Sequence, residues 1–234
     1  MGIECIIAKK RIMKKILYLI TCIMVTVACT KDRVVSSNKI VASASSELIY
    51  YWNFNTISGT VTSTNPDYSL IASTAKITYP GTGTGYLDKL DLGYTNNLRN
   101  DANPVTGLRA RNPSNTRDVV VAMPTTGFKN AIVQFATARS GSGATVQNYS
   151  YTTDGISYIT TDLNINTFNP LEDTTATGST TPATVSLITL DFRAITAVNN
   201  NANFKLKISF AGTAAAGTSG NNRFDNITLE AEPQ

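Results

Sequence analysis

The carboxyl group of Asp225 is the first candidate for chemistry, because it lies in a stretch that otherwise favours burial. The closing sequence, NNRFDNITLEA, has the composition of a last β-strand. Alternate side chains of an extended strand share a face, so Asp225 is expected to lie in line with Ile227 and Leu229. A carboxylate at or near a core needs hydrogen-bond donors, a cation or a bound metal.

Three tyrosines form a second candidate site. Asp154 and Gly155 are typical of a type I′ turn, which predicts a hairpin over residues 147–161 that pairs Tyr151 with Tyr158. Tyr149 is expected on the same face. This face is either core or an aromatic platform for a ligand, and the polar residues of the opposite face favour core.

Three arginines complete the candidate ligand-binding set. Arg109 and Arg111 are two residues apart in a predicted strand, so they lie on one side of it. They are interpreted as a solvated face or structural ion pairs, with a groove for an acidic glycan as the alternative. Arg139, at the start of a Gly/Ser loop, is the third.

Several classes of catalysis are excluded by composition. The chain has no histidine, and no cysteine follows Cys29, so imidazole chemistry, thiol nucleophiles and disulfides are absent beyond that point. A glycosidase needs two carboxylates that face a cleft. The candidate pairs lie in turns and loops, where solvated acids are the usual interpretation: Asp88 with Asp91, Glu172 with Asp173, and Asp154 with Asp162. We therefore predict that the protein is not an enzyme.

The first 28 residues have the pattern of a targeting segment. Lys14 and Lys15 precede an apolar stretch over 16–27, which is shorter than the roughly 20 residues of a transmembrane helix. The sequence TVAC then resembles the lipobox of bacterial lipoproteins, which implies that Cys29 is lipidated and anchors the chain to a membrane. Outer-membrane export is predicted, with the leaflet undetermined. The alternatives are an ordinary cleaved signal peptide or a membrane anchor.

Beyond the leader, the chain carries no net charge. Five of the 20 basic residues and one of the 16 acidic residues precede Cys29, which leaves 15 of each. The balance gives no support for nucleic-acid binding. Residues 29–46 are polar, lack periodicity and predict a flexible tether.

Residues 47–234 predict one all-β domain, an antiparallel sandwich of about ten short strands. Phe204, Leu206, Ile208 and Phe210 alternate with polar residues, which is the clearest strand pattern in the chain. In the first strand, Trp52 is interpreted as a core anchor, with a sugar-stacking platform as the alternative.

Several segments together resemble jelly-roll domains of Bacteroidota-type lipoproteins, which are similar to carbohydrate-binding-module and galactose-binding-like sandwiches. These segments are LIYYWNFN, LRARNPS, FKNAIVQFATARSGSGA, YSYTTDGISY, NANFKLKISFAG and SGNNRFDNITLEA. The resemblance implies a structural calcium where the first and last strands meet, held by Asp225 with Asn53, Asn55 or Glu47. The alternative is that Asp225 bonds to backbone N–H groups or to Arg223.

The predicted function is that of a membrane-anchored, non-enzymatic binding module for glycans. Aromatic faces stack on sugar rings, and planar polar groups form hydrogen bonds with hydroxyls. The first alternative is a structural or adhesion module that contacts a protein partner within a larger surface assembly. A carboxylate-dependent hydrolase is the second.

Overall fold

The computed structural model describes residues 46–91, 106–174 and 185–234. Their strands are β1 (Glu47–Trp52), β2 (Thr60–Val61), β3 (Ser63–Thr64), β4 (Tyr68–Ser69), β5 (Lys76–Thr78), β6 (Leu87–Asp91), β7 (Thr106–Arg111), β8 (Asp118–Ala122), β9 (Phe128–Arg139), β10 (Val146–Thr152), β11 (Thr167–Phe168), β12 (Ser186–Asp191), β13 (Lys205–Ala211) and β14 (Asn221–Pro233). Two short 3-10 turns, Thr196–Val198 and Thr213–Ala216, accompany them. The predicted leader, Cys29 and the tether up to residue 45 lie outside the described residues.

The first sheet is organised around β14. Its strand order is β12-β9-β14-β7-β6-β2, and β1 with its neighbour β4 also joins at β14. One edge of β14 pairs with β9 along most of its length. The other edge pairs first with β7 and then with β1. This strand therefore holds both ends of the described fold in one sheet.

The second sheet has the order β11-β10-β13-β8-β5-β3. From β7 onward the chain passes from one sheet to the other at almost every connection, and the described strands pair antiparallel. The predicted all-β antiparallel sandwich is confirmed, although many of its strands are only two or three residues long. No helix among these residues is long and apolar enough to cross a membrane.

An aromatic core fills the space between the sheets. Phe135 of β9 packs edge-on against Tyr149 of β10, with ring centroids 5.8 Å apart, and also contacts Phe224 of β14. At the other end, Phe192 lies between Tyr151 and Phe204. Edge-to-face pairs of this kind add to the free energy gained by burial. The core interpretation of the hairpin tyrosines is thus confirmed for Tyr149 and Tyr151.

Two local predictions were wrong. Only Gly155 of the predicted turn pair has a positive φ (83°), so the turn is not type I′, and Tyr151 is bridged to Ile159 rather than to Tyr158. The Asp154 carboxylate accepts hydrogen bonds from the backbone N–H groups of residues 156 and 157 instead. The Gly/Ser loop after Arg139, whose position between two predicted strands favours a hairpin, is instead a crossing between the sheets, because β9 and β10 belong to different ones.

Candidate functional site

A bulge in β14 overturns the predicted position of Asp225. The pairing with β9 shifts between Asp225 and Thr228, and Asn226 adopts a positive φ of 51°. An extra residue reverses the alternation beyond it. Phe224, Ile227 and Leu229 consequently face the core, and Asp225 lies on the outer face of the sheet.

Asp225 is nevertheless almost completely buried, with 6% of its surface exposed. It accepts a hydrogen bond of 2.7 Å from the backbone N–H of Asn226, which confirms the backbone-bonded alternative. Burial raises the pKa of its carboxyl group to about 8, and that hydrogen bond opposes the shift only in part. The carboxyl group and Arg223 border a small cavity of about 10 Å³, which is roughly the room that one water molecule needs.

One of the alternative partners in the predicted calcium site, Glu47, lies too far from Asp225 to share an ion with it. Glu47 pairs with Ala231, whereas Trp52 pairs with Ile227, which places Glu47 more than roughly 15 Å along the sheet from Asp225. Among the described residues no group of three or more acidic, histidine or cysteine side chains could hold a metal.

The two asparagines of that set have structural partners. The Asn55 side-chain oxygen accepts from the Thr106 hydroxyl at 2.7 Å, and the Asn53 side-chain oxygen accepts from the Asn55 backbone N–H at 3.0 Å. Asp67 accepts from the backbone N–H groups of Asn53 and Phe54. These contacts fix the loop that follows β1.

The tyrosines of the predicted ligand set do not offer an aromatic platform. Tyr149 and Tyr151 are 0% and 2% exposed, so neither ring has a face for a sugar, which corrects their assignment as ligand contacts. Tyr158 is half-buried, and the Lys207 ammonium lies 4.4 Å from its ring centroid. Trp52 is fully buried, as its core interpretation predicts.

The arginines, by contrast, form a connected cluster on the outer face of the first sheet. Arg109 donates to both oxygens of Asp88, at 2.8 and 2.7 Å, and Arg111 donates to the same carboxylate at 3.0 to 3.1 Å. Tyr86 lies directly across from Arg111, whose guanidinium carbon is 5.9 Å from the ring centroid. The predicted structural ion pairs are therefore present, and an exposed aromatic ring borders them.

The cluster continues onto β14. Arg223 pairs with Arg109 in the backbone register, so the two side chains share the outer face. The Arg223 guanidinium binds the buried carboxylate of Asp173 and donates at 3.1 Å to the side-chain oxygen of Asn221. We call the surface formed by Tyr86, Asp88, Arg109, Arg111, Asp173 and Arg223 the arginine face.

Arg139 is not part of this surface. It pairs with Asn222, one position out of phase with the outward-facing Arg223, so it leaves β9 from the core side. At the strand end its guanidinium binds Glu172 at 3.0 Å and the carbonyls of residues 140 and 141. The prediction that Arg109 and Arg111 share one side of a strand is thus confirmed, and Arg139, the third candidate ligand contact, lies apart from them.

Tyr86, Asp88, Arg223 and Asp173 were missed as members of the site. The alternation of Tyr86 and Asp88 before and within β6 was a usable signal, because it puts both side chains on one face. Their position opposite Arg111 and Arg109 depends on the register between β6 and β7. No local pattern in the sequence specifies that register.

The candidate carboxylate pairs for a hydrolase have other partners. Asp88 binds two arginines, and Asp91 binds Lys89 at 2.8 Å. Glu172 and Asp173 bind different arginines, as described above. Hydrogen bonds from the Thr152 hydroxyl and nearby backbone N–H groups lower the pKa of the exposed Asp154. Each of these acids is thus held as an ion-pair or turn residue.

Comparison with known proteins gives a fold-level likeness only. No family model and no curated protein matches the chain. Similar solved structures include the CBM22-1 xylan-binding domain from Paenibacillus barcinonensis, with TM-score 0.45 and 8% identity over 82% of this chain and 99% of that one. The adhesin domain of Lys-gingipain gives a TM-score of 0.43 and 9% identity over 80% and 98%.

A third similar structure is longer than this chain. It contains the CBM22-1 and GH10 modules of a Clostridium thermocellum endo-1,4-β-D-xylanase complexed with xylohexaose. Its TM-score is 0.41, with 14% identity over 67% of this chain and 26% of that one. These values describe a distant resemblance between sandwiches. The fold and the site together define an all-β sandwich with a charged outer face on its first sheet.

Proposed function

We propose that the chain is a membrane-tethered, non-enzymatic module that binds an extracellular glycan on the arginine face. The observation that carries this proposal is the exposed ring of Tyr86 next to the guanidinium of Arg111, which shares the Asp88 carboxylate with Arg109. The proposal rests on this surface and not on the similar structures.

The groups of the arginine face suit a polyhydroxylated ligand. Tyr86 is 42% exposed, so part of its ring is open for stacking on a sugar. Guanidinium and carboxylate groups are planar and form paired hydrogen bonds, which match neighbouring hydroxyl groups. Because Asp88 already fixes both arginines, little side-chain entropy remains to be lost on binding.

The non-enzymatic part of the proposal is supported by the state of the acids. A glycosidase requires one protonated acid and one free carboxylate across a cleft. Asp88 and Asp173 are paired with arginines, and the carboxyl group with a pKa near 8, Asp225, is buried beside a cavity of about 10 Å³. That space does not admit a sugar.

The membrane attachment in this proposal is a lipid anchor on Cys29. Cys29 after a small residue and an apolar segment is the pattern on which the lipid anchor rests. An anchored binding module retains a polymer at the cell envelope, where linked sites gain from a high local concentration. Metabolic labelling with a palmitate analogue tests this part, with Cys29→Ala as the variant that should lose the label.

Binding is tested on the full chain in a non-glycosidic detergent, by affinity electrophoresis and thermal unfolding over a panel of polysaccharides. A ligand of the native state raises the midpoint by mass action. Tyr86→Ala should weaken binding about tenfold, in keeping with roughly 1 to 1.5 kcal/mol for an aromatic contact. Tyr158→Ala is the matched control and should bind normally, because Tyr158 lies after β10 and contacts Lys207 of the second sheet. Loss of binding in the Tyr158 variant alone would show that the glycan-binding site is not on the arginine face.

A further inference from the structure

The arginine face carries more positive than negative charge. Asp88 is the shared acceptor of five hydrogen bonds from two guanidiniums, so one carboxylate offsets two cations. On the next strand Arg223 is matched by Asp173. The face therefore has three arginines to two carboxylates. Burial raises the pKa of the neighbouring Asp225 to about 8, so that acid contributes little negative charge at pH 7.

The carboxylates lie beneath the guanidiniums. The Asp88 side chain is 11% exposed, against 23% for Arg109 and 27% for Arg111. Asp173 is 1% exposed, against 18% for Arg223. A ligand that approaches this sheet meets the cations first, and the acids act from below to orient them.

Both arginines that bind Asp88 keep N–H donors that no described residue accepts. The bonds to Asp88 use the Nε and Nη2 groups of Arg109 and Arg111. Among the hydrogen bonds of the described residues, none uses Nη1 of either arginine. A guanidinium has five N–H donors in a rigid fork that matches a carboxylate, so each of these arginines retains donors for a second acid.

We infer that the ligand of this site is a glycan whose sugars carry carboxylate groups. The carboxylate is bound at the Nη1 sides of Arg109 and Arg111, and the sugar ring lies against Tyr86. This inference rests on the proposed function and specifies its ligand class. The arriving carboxylate supplies the negative charge that the face lacks, and the bond to a charged group is stronger than one to a hydroxyl.

The test compares each acidic polysaccharide with its own carboxyl-reduced form, which keeps the chain and removes the charge. Pectate, alginate and glucuronoxylan are the probes, with the full chain in EDTA at fixed ionic strength. The native forms should bind at least about tenfold more tightly than the reduced forms for one or more probes. This preference should shrink when salt is raised, because exposed charges are screened.

Arg111→Gln removes one cation while Asp88 keeps its two bonds from Arg109. The variant should lose most of the preference and retain part of the affinity for reduced chains. Arg193→Gln is the matched control, because Arg193 pairs with Asp191 outside the arginine face. Equal binding of native and reduced chains, or binding of neutral xylan alone, would overturn the inference and leave glycan binding intact. Binding of no polysaccharide would overturn the proposed function itself.

Discussion

Replacement of Asp225 by Asn should change the pH dependence of stability more than any other single substitution in the described residues. The carboxyl group is 6% exposed and has a pKa raised to about 8 by burial. An unfolded aspartic acid titrates near 3.9. Between those two values the native state holds a proton that the unfolded state has lost, so stability falls as pH rises from about 4 to about 8.

The size of the effect follows from the width of that window. Each pH unit within it contributes about 1.4 kcal/mol, so the full decline from this one group is roughly 6 kcal/mol. The amide introduced by Asp225→Asn keeps a side-chain oxygen that can accept from the Asn226 N–H, but it does not ionise. The difference in the free energy of unfolding between Asp225→Asn and wild type should therefore grow with pH and level off above about 8.

Urea unfolding at half-unit intervals from pH 4 to pH 9 measures this difference. Subtracting the two profiles cancels the groups that titrate alike in both proteins. Asp154→Asn supplies a control with a flat expected profile: hydrogen bonds from Thr152 and the turn backbone lower the pKa of Asp154, so its contribution to stability is lost only in acid below this pH range. Parallel profiles for wild type and Asp225→Asn would refute the buried, protonated assignment.

Three further predictions concern the fold. Gly220→Ala should lower the free energy of unfolding by more than about 2 kcal/mol, because φ is +101° and a Cβ would lie 2.0 Å from the Ser142 carbonyl oxygen. Chemical denaturation measures this loss. Asn112→Ala should cost about 2 to 4 kcal/mol by the same assay, since its buried amide bonds the carbonyls of three loop residues. Trp52 is fully buried, so its fluorescence should resist iodide quenching and stay unchanged when a glycan binds; a ligand-dependent shift would contradict its core position.

The alternation of apolar and polar residues was sufficient to predict which side chains are buried in strands that have one face on the core and the other in solvent. Leu206 and Ile208 are buried and Lys205 and Lys207 are not, because a period of two leaves only one register that buries the apolar side chains. The same rule placed Arg109 and Arg111 on one side of β7. Local patterns were therefore enough to predict that these segments are strands and that the strands form a β-sandwich.

The site was less predictable because it depends on long-range pairing. Asp225 was assigned to the wrong face, since the bulge at Asn226 is an extra residue relative to β9 and leaves no local trace in the sequence. Asp88 reaches Arg109 only through the β6–β7 register. For Tyr149 and Tyr151 the residue type itself was ambiguous. Aromatic side chains suit both a core and a binding platform, and only the burial seen in the structure decides between the two.

The measurement that tests the central claim most directly is the affinity of the full chain and its Tyr86→Ala variant for native and carboxyl-reduced glucuronoxylan, pectate and alginate, by affinity electrophoresis. The account predicts retardation of the wild type by at least one native polysaccharide, and about tenfold weaker binding for the variant with an unchanged unfolding midpoint. If wild type and variant migrate alike in every polysaccharide, the arginine face is not a glycan-binding site.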